Sequence, residues 1–232
     1  MKYFFTGLIL SVFATGAFAI EATPAYKEKL KGRMPGLTSK AVQKRLLRAS
    51  KLMAKNNRKD AIDILQGIVE KDNFRPFELA KAWQTMAYAY AQTEKYKEAR
   101  HAFKKSIEME ALPYDPTLQS LFALAQLEVV AEEYDKAEKT LKTWFALSDK
   151  ENPDAYVFMA TIHYNKNQKD KALDLVMKAI NMSKKPKENW LVFAVSLLYT
   201  KERYKEASEF LYKLAELNHG KKAYWTQLAG SL

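Results

Sequence analysis

Residues 80–113 read AKAWQTMAYAYAQTEKYKEARHAFKKSIEMEALP, and this stretch decides the fold. Its apolar and small residues follow the pattern Trp-x2-Met-Ala-x2-Tyr, then Ala-x3-Phe, then Pro. The pattern predicts two antiparallel helices, because residues three and four positions apart share one helix face. Two helices approach closely only where both carry a small side chain, so we expect Ala87 and Ala99 to face each other. The space around this crossing is then filled by Trp83, Tyr90 and Phe103.

The small position of the second helix recurs along the whole chain. Alanines occupy it at successive spacings of 38, 38, 35 and 35 residues: Ala61, Ala99, Ala137, Ala172 and Ala207. A period this constant is typical of stacked helix pairs that bury a shared core between neighbours. The low content of turn-forming residues, 7 glycines and 7 prolines, also favours helices.

The pattern resembles the tetratricopeptide repeat (TPR) family. The resemblance implies an all-α fold, an α-solenoid of antiparallel helix pairs that winds as a right-handed superhelix. The array is expected over residues 39–232, as repeats at 39–75, 80–113, 117–150, 153–186 and 187–220 and the first helix of a sixth at 221–232. An unpaired first helix leaves an apolar face open, so we expect the natural chain to continue beyond Leu232 with at least one more helix.

The N-terminal residues 1–19 have the features of a secretory signal peptide. Lys2 precedes an apolar run, and a small-x-small site at 17–19 predicts cleavage after Ala19. The alternative, an uncleaved anchor, is disfavoured because the run is shorter than the ~20 residues that span a bilayer. No transmembrane segment is expected after cleavage. Residues 20–38 are polar and contain Pro and Gly, which predicts a flexible leader.

The chain is basic and has no cysteine. It has 38 Lys and Arg against 27 Asp and Glu, a net charge of +11, and removal of Lys2 with the signal leaves +10. This balance favours acidic partners, whether a protein surface, anionic lipid or a polyanionic wall polymer. Nucleic acid is not an expected partner of an exported protein. The absence of cysteine excludes disulfides and thiolate metal sites.

No catalytic or cofactor motif is present, so we expect no catalytic residue, no cofactor and no metal. His163 stands at an apolar repeat position and is predicted to pack between helices. Glu128 holds the same position in the third repeat; we expect a cation to reach it, in preference to its facing the groove. Three tryptophans share one repeat position and are predicted as core: Trp83, Trp190 and Trp225.

The TPR resemblance also implies a partner-binding groove on the concave wall, lined by the first helix of each repeat. Carried over position by position, the lining in repeats two to five is Lys81, Gln84, Tyr88, Gln92; Gln119, Phe122, Gln126, Val129; Val157, Thr161, Tyr164, Asn165; Leu191, Val195, Leu198 and Tyr199. Such aromatic, amide and aliphatic residues suit an extended peptide or a helix. The alternative is that several of them pack under neighbouring turns.

A second resemblance concerns four segments, LKTWFAL at 141–147, NPDAY at 152–156, KKPKENW at 184–190 and YWTQLAG at 224–230. They are similar to segments of periplasmic TPR proteins encoded beside TonB, ExbB and ExbD. The resemblance implies a periplasmic location and an accessory role in TonB-dependent transport, with components of that system as partners. It supplies no binding residue.

The leading hypothesis is therefore a non-enzymatic periplasmic scaffold that binds a protein or peptide in its concave groove. The alternative is a basic envelope or cell-wall protein that binds anionic lipid or peptidoglycan through its charge.

Overall fold

The computed structural model describes residues 20–71, 73–217 and 221–230, so the predicted signal at 1–19 lies outside the described residues. Within that part of the chain the structure is helical throughout and contains no strand. The helices are α1 (Pro24–Lys31), α2 (Lys40–Ala54), α3 (Arg58–Val69), α4 (Pro76–Ala91), α5 (Tyr96–Glu108), α6 (Tyr114–Val130), α7 (Tyr134–Leu147), α8 (Pro153–Asn165), α9 (Lys169–Met182), α10 (Glu188–Tyr199), α11 (Tyr204–Leu217) and α12 (Lys222–Ala229).

Helices α2 to α11 form five hairpins that stack in chain order, as the repeat spacing predicts. Each first helix packs on its own second helix, and each second helix packs on the next first helix. Ala87 and Ala99 are fully buried in one core cluster with Phe103. Burial of both alanines between two helices that contact each other agrees with the expected crossing at small residues.

The turn inside every hairpin has the same backbone conformation. One residue in each turn has a left-handed φ between 57° and 63°, at the alanine spacings of 38, 38, 35 and 35 residues: Asn56, Glu94, Glu132, Asn167 and Glu202. The next residue donates its N–H to a carbonyl five positions earlier, as Lys95 does to Tyr90 at 3.0 Å. These bonds are those of a helix-terminating Schellman motif. The turn thus repeats with the same register as the core.

The predicted flexible leader is wrong over Pro24–Lys31, which forms α1. Thr23 caps this helix by accepting a 3.1 Å hydrogen bond from the N–H of Tyr26, and Pro24 occupies the first helical position. Leu30 is fully buried in the core of repeats two and three. A helix of eight residues is marginal alone, so this burial stabilises it, a contact that polar composition does not reveal.

The rest of the leader runs against the start of α4. A Cβ atom on Gly36 would lie 2.6 Å from Cβ of Phe77, so only glycine permits this approach. Glu78 accepts hydrogen bonds from the N–H groups of Ser39 at 2.6 Å and Arg75 at 2.9 Å. Burial opposes ionisation of Glu78, but these bonds, the hydroxyl of Ser39 and the charge of Arg75 together outweigh it and lower the pKa of Glu78.

One tryptophan differs from the expected core role. Trp225 on α12 is 41% exposed, whereas Trp190 is 4% exposed at the same repeat position. In the described part of the chain α12 packs mainly on α11, so one face of Trp225 meets solvent. Among the described residues, no helix has both the length and the apolar character needed to cross a bilayer.

Candidate functional site

An open cleft of about 480 Å³ lies between α4, α6 and the start of α8. Its lining comes mainly from first helices: Tyr88, Asp115, Leu118, Gln119, Phe122, Ala123, Gln126, Trp144 and Asn152. Four residues predicted for the groove, in the second and third repeats, meet here: Tyr88, Gln119, Phe122 and Gln126. We call this space the central cleft.

The aromatic residues of the central cleft are held in fixed orientations. The ring of Tyr88 meets Phe103 edge to face at 4.9 Å between centroids. Phe122 lies 5.5 Å from Trp144 and 5.4 Å from Phe158. Burial raises the pKa of Tyr88 above its ordinary value, so its phenol is neutral and able to donate a hydrogen bond at physiological pH. Rings that are already ordered lose little conformational entropy when a ligand covers them.

Polar groups surround these rings. Gln119 and Gln126 are exposed on α6, seven residues or about two turns apart, and therefore share one face. Asp115 and Asn152 lie at the starts of α6 and α8, and the side chain of Asn152 accepts a 2.9 Å hydrogen bond from the N–H of Asp154. Side-chain amides both donate and accept hydrogen bonds, as a peptide backbone requires. The cleft therefore combines apolar anchoring surface with backbone-matching amides.

The predicted residues of the fourth repeat lie further along the same series of first helices. Tyr164 is 43% exposed on α8 and meets Phe193 of α10 edge to face at 5.7 Å. The hydroxyl of Thr161 donates to the carbonyl of Val157 at 3.1 Å, and Asn165 donates to the carbonyl of Thr161 at 2.9 Å. Tyr164 is thus the accessible aromatic of this repeat, while two of its polar neighbours bond within α8.

Three predicted groove residues of the second repeat, Lys81, Gln84 and Gln92, are hydrogen-bonded within the protein itself. Gln84 is only 2% exposed; its Nε2 donates to the carbonyl of Pro116 and to Oγ of Ser120, both at 2.9 Å, and its Oε1 accepts from Nζ of Lys81. Gln84 therefore joins α4 to α6. Burial lowers the pKa of Lys81. Gln92 is exposed and accepts a 2.9 Å bond from Nε of Arg58.

The groove prediction is wrong for three residues of the fifth repeat. Leu191 and Leu198 are fully buried and Val195 is 5% exposed, all in the core around α9 and α11. These positions were counted from Trp190, and measured from the left-handed turn residue Glu202 they lie one residue before the groove positions of the other repeats. Tyr199 is half-buried and meets Tyr204 at 5.4 Å. Val129 of the third repeat is likewise half-buried against the core.

The sequence-based prediction misses the residues that α10 exposes instead of Leu191, Val195 and Leu198. Val192 is 41% exposed and lines a shallow cleft of about 600 Å³ with Phe193 and Ser196. One signal was present in the spacing, since Trp190 to Tyr204 spans 14 residues and Trp83 to Tyr96 spans 13; the structure places the extra residue between Trp190 and the turn.

The buried polar residues have protein partners. Glu128 accepts a 2.7 Å hydrogen bond from Oγ1 of Thr140, and Nζ of Lys104 lies 3.8 Å away, so the expected cation is present. Burial raises the pKa of Glu128. His163 is buried and its Nδ1 lies 2.7 Å from Oε1 of Gln168, as a packing histidine would. Residues 20–71, 73–217 and 221–230 contain no cluster of three or more metal-ligating side chains.

Stacked helical hairpins with a cleft on the first helices define a TPR α-solenoid, a class of repeat protein that presents an extended surface. The family model for the tetratricopeptide repeat matches residues 80–111 and 153–186, which are the second and fourth repeats. The chain therefore carries TPR repeats.

Solved structures give the same fold. MamA 41-end from Desulfovibrio magneticus RS-1 superposes with a TM-score of 0.68 at 14% identity, covering 80% of this chain and 99% of that one. YrrB, described as a TPR protein with an unusual peptide-binding site, gives 0.64 at 20% identity and covers 93% and 100%. A putative kinesin light chain from Podosopora anserina gives 0.59 at 16% and covers 77% and 95%. The comparison with curated proteins gave no match. Identities this low establish the fold alone.

Proposed function

We propose that this protein is a non-enzymatic scaffold that holds an extended peptide or a helix of a partner protein in the central cleft. The observation that carries the proposal is the meeting of Tyr88 and Phe122 with Gln119 and Gln126 in one open space. Aromatic side chains anchor a ligand by burying large apolar area, and amides fix its direction. The peptide-binding site named for YrrB is consistent with this use of the fold.

We also propose that the scaffold works in the periplasm, after cleavage of the signal behind Ala19, as an accessory of a TonB-dependent transport complex. The support is the signal pattern at residues 1–19 and the likeness of the segments at 141–147, 152–156, 184–190 and 224–230 to periplasmic TPR proteins encoded beside TonB, ExbB and ExbD. N-terminal sequencing of the protein recovered from a periplasmic fraction should begin at Ile20. A full-length protein retained in the membrane would contradict export.

Capture from periplasmic extract tests the central cleft. The double variant Tyr88→Ala/Phe122→Ala should lose at least ~90% of the partner that the wild type retains, since removing two aromatic anchors costs several kcal/mol of binding. A matched control is Tyr212→Ala, an exposed aromatic on α11 (51%). Equal capture by the wild type and the double variant would refute the cleft, and loss with Tyr212→Ala would place the partner elsewhere.

The alternative, attachment to an anionic envelope polymer through net charge, would use lysines other than those that join neighbouring repeats. Lys166 pairs with Asp135 at 2.6 Å, and the pair Lys201–Asp170 repeats this contact 35 residues later. Lys187 pairs with Asp154 at 2.6 Å, and this contact recurs 34 residues later as Lys221–Glu188. The net charge of +11 already counts these carboxylates, so the pairs show only which lysines are engaged within the protein.

A further inference from the structure

We propose that the crevice between the C-terminal ends of α9 and α11 docks a short acidic amphipathic helix of a partner protein. This surface lies apart from the central cleft, so the inference goes beyond the proposed function. The crevice has a volume of about 510 Å³. We call it the basic crevice.

The molecule itself shows how such a crevice is filled. Helix α1 lies at the corresponding place two repeats earlier, by the C-terminal ends of α5 and α7. The segment that follows α1 is bonded to the chain just after α5: a guanidinium nitrogen of Arg33 donates to the carbonyl of Leu112 at 3.1 Å. At the end of α7, Nζ of Lys27 donates to the carbonyl of Ser148 at 2.9 Å. Between these contacts Leu30 is fully buried.

The charge of α1 matches the charge of its own crevice. Lys27 and Lys31 lie 3.1 and 2.9 Å from one carboxylate oxygen of Asp149. Hydrogen bonds from Lys31 and then Lys27 lower the pKa of Asp149. A basic helix is thus held by the buried Leu30, by Tyr26 packed against the same core, and by an acidic partner at the rim.

The basic crevice has an apolar floor and a positively charged lining. Ile180 and Leu191 are buried beneath it, and Leu217 at its rim is 52% exposed. Its lining contains three lysines against one carboxylate: Lys184, Lys185, Lys213 and Glu216. Lys184 and Lys185 follow α9 and Lys213 lies on α11, so both helices of the basic crevice contribute positive charge.

The positive charge of the basic crevice selects the occupant. The basic α1 of a second copy would meet like charges, which is unfavourable. A helix with an apolar residue at the place of Leu30 and carboxylates at the places of the α1 lysines would meet complementary charges on an apolar floor. The occupant is therefore an acidic amphipathic helix from another protein.

The probe is a labelled synthetic peptide with the sequence of residues 23–34 that carries Lys27→Glu, Lys29→Glu and Lys31→Glu. Its control is the same peptide without these changes. Fluorescence anisotropy with the full mature protein at low salt should show the acidic peptide binding at least ~10-fold more tightly than the basic one. The affinity should fall as salt is raised, because the contacts are exposed.

Variants of the protein locate the site. Lys184→Glu/Lys185→Glu/Lys213→Glu should reverse the preference between the two peptides. The control Lys139→Glu/Lys171→Glu/Lys205→Glu has the same net charge and changes exposed lysines, two of them about 15 Å away at the other ends of α9 and α11. It should keep the preference for the acidic peptide, as should Tyr88→Ala/Phe122→Ala in the central cleft.

Several results would overturn the inference. Equal affinity for the two peptides, or an affinity that the crevice triple variant does not change, excludes a charge-selective crevice. Loss of peptide binding in the Tyr88→Ala/Phe122→Ala variant places the peptide in the central cleft. Retention of phosphatidylglycerol vesicles through the three crevice lysines, with no binding of the acidic peptide, identifies a lipid surface as the occupant.

Discussion

Helices α6 and α10 present the same groove face two repeats apart, but the face predicted for α10 is displaced by one residue. The left-handed turn residues Glu132 and Glu202 are 70 residues apart, so the counterpart of Gln126 is Ser196, which is exposed like Gln126 itself. Val195, the residue predicted in its place, is 5% exposed. One residue rotates a helix position by about 100°, so the comparison teaches that the number of residues before the turn decides which face of α10 is accessible.

The largest effect on stability is expected at Leu198, a predicted groove residue that the structure buries. Leu198→Ala should lower the free energy of unfolding by about 2 to 5 kcal/mol, because it leaves a cavity in a fully buried site. Urea denaturation measures this. Gln126→Ala on α6 is the control, and it should change the stability by less than about 0.5 kcal/mol. Similar small effects for both would mean that α10 exposes the face first predicted.

The edges beside the two helices also differ, since α1 covers the edge near α6 and nothing comparable lies in the basic crevice among the described residues. Leu30→Ala should release α1, because a Leu-to-Ala change in a buried site costs about 2 to 5 kcal/mol and eight residues are marginal as an isolated helix. Hydrogen exchange at 24–31 should then become fast while the exchange of α6 is retained. The exposed Met34→Ala is the control. Unchanged protection of 24–31 would contradict the docking of α1.

A reciprocal exchange of side chains sharpens the comparison. Val195→Gln should cost about 1 to 3 kcal/mol, since it buries an amide in an apolar core, whereas Gln126→Val should be nearly neutral for folding. Thermal unfolding of both variants checks this. Equal costs would mean that the two positions have the same environment.

Two carboxylates of the third repeat predict opposite pH effects on stability. Burial raises the pKa of Glu128, so the folded state retains its proton more strongly than the unfolded chain. The wild type should therefore lose stability relative to Glu128→Gln as pH rises above about 4.5.

Hydrogen bonds from Lys142 and Lys166 lower the pKa of Glu138 to about 2. The wild type should therefore lose stability relative to Glu138→Gln as pH falls from about 4.5 towards 2.

Denaturation midpoints across this pH range measure both effects. If the wild type and Glu128→Gln show parallel pH dependence, Glu128 is not destabilised by burial. If the wild type and Glu138→Gln show parallel pH dependence, the contact of Glu138 with Lys166, which joins α7 to the end of α8, does not stabilise the fold.

The fold was predictable because the same small-residue position recurs in every repeat. Alanine spacing gave the hairpins, and the left-handed turn residues follow the same spacing in the structure. The site was predictable on α4 and α6 only where polarity and position agreed, as at Gln119 and Gln126. Gln84 is polar yet buried, because its hydrogen bonds to Pro116 and Ser120 depend on the distance between two helices, which no local pattern states.

The leader shows a related limit. Thr23, Pro24 and Gly32 are ordinary start and stop signals of a helix, but the apolar content between them is too small to suggest burial. The core that buries Leu30 is built by residues of repeats two and three, far from it in sequence. Contacts with distant parts of the chain therefore decide that residues 24–31 form a packed helix.

Site-specific photo-crosslinking tests the central claim most directly. p-Benzoylphenylalanine in place of Gln126 lies in the central cleft, and in place of Lys139 it lies exposed on the second helix α7. In cells that contain the native partner, irradiation should give an adduct from position 126 that Tyr88→Ala abolishes, and none from position 139. An adduct from position 139 alone, or one from position 126 that persists with Tyr88→Ala, would contradict binding in the cleft.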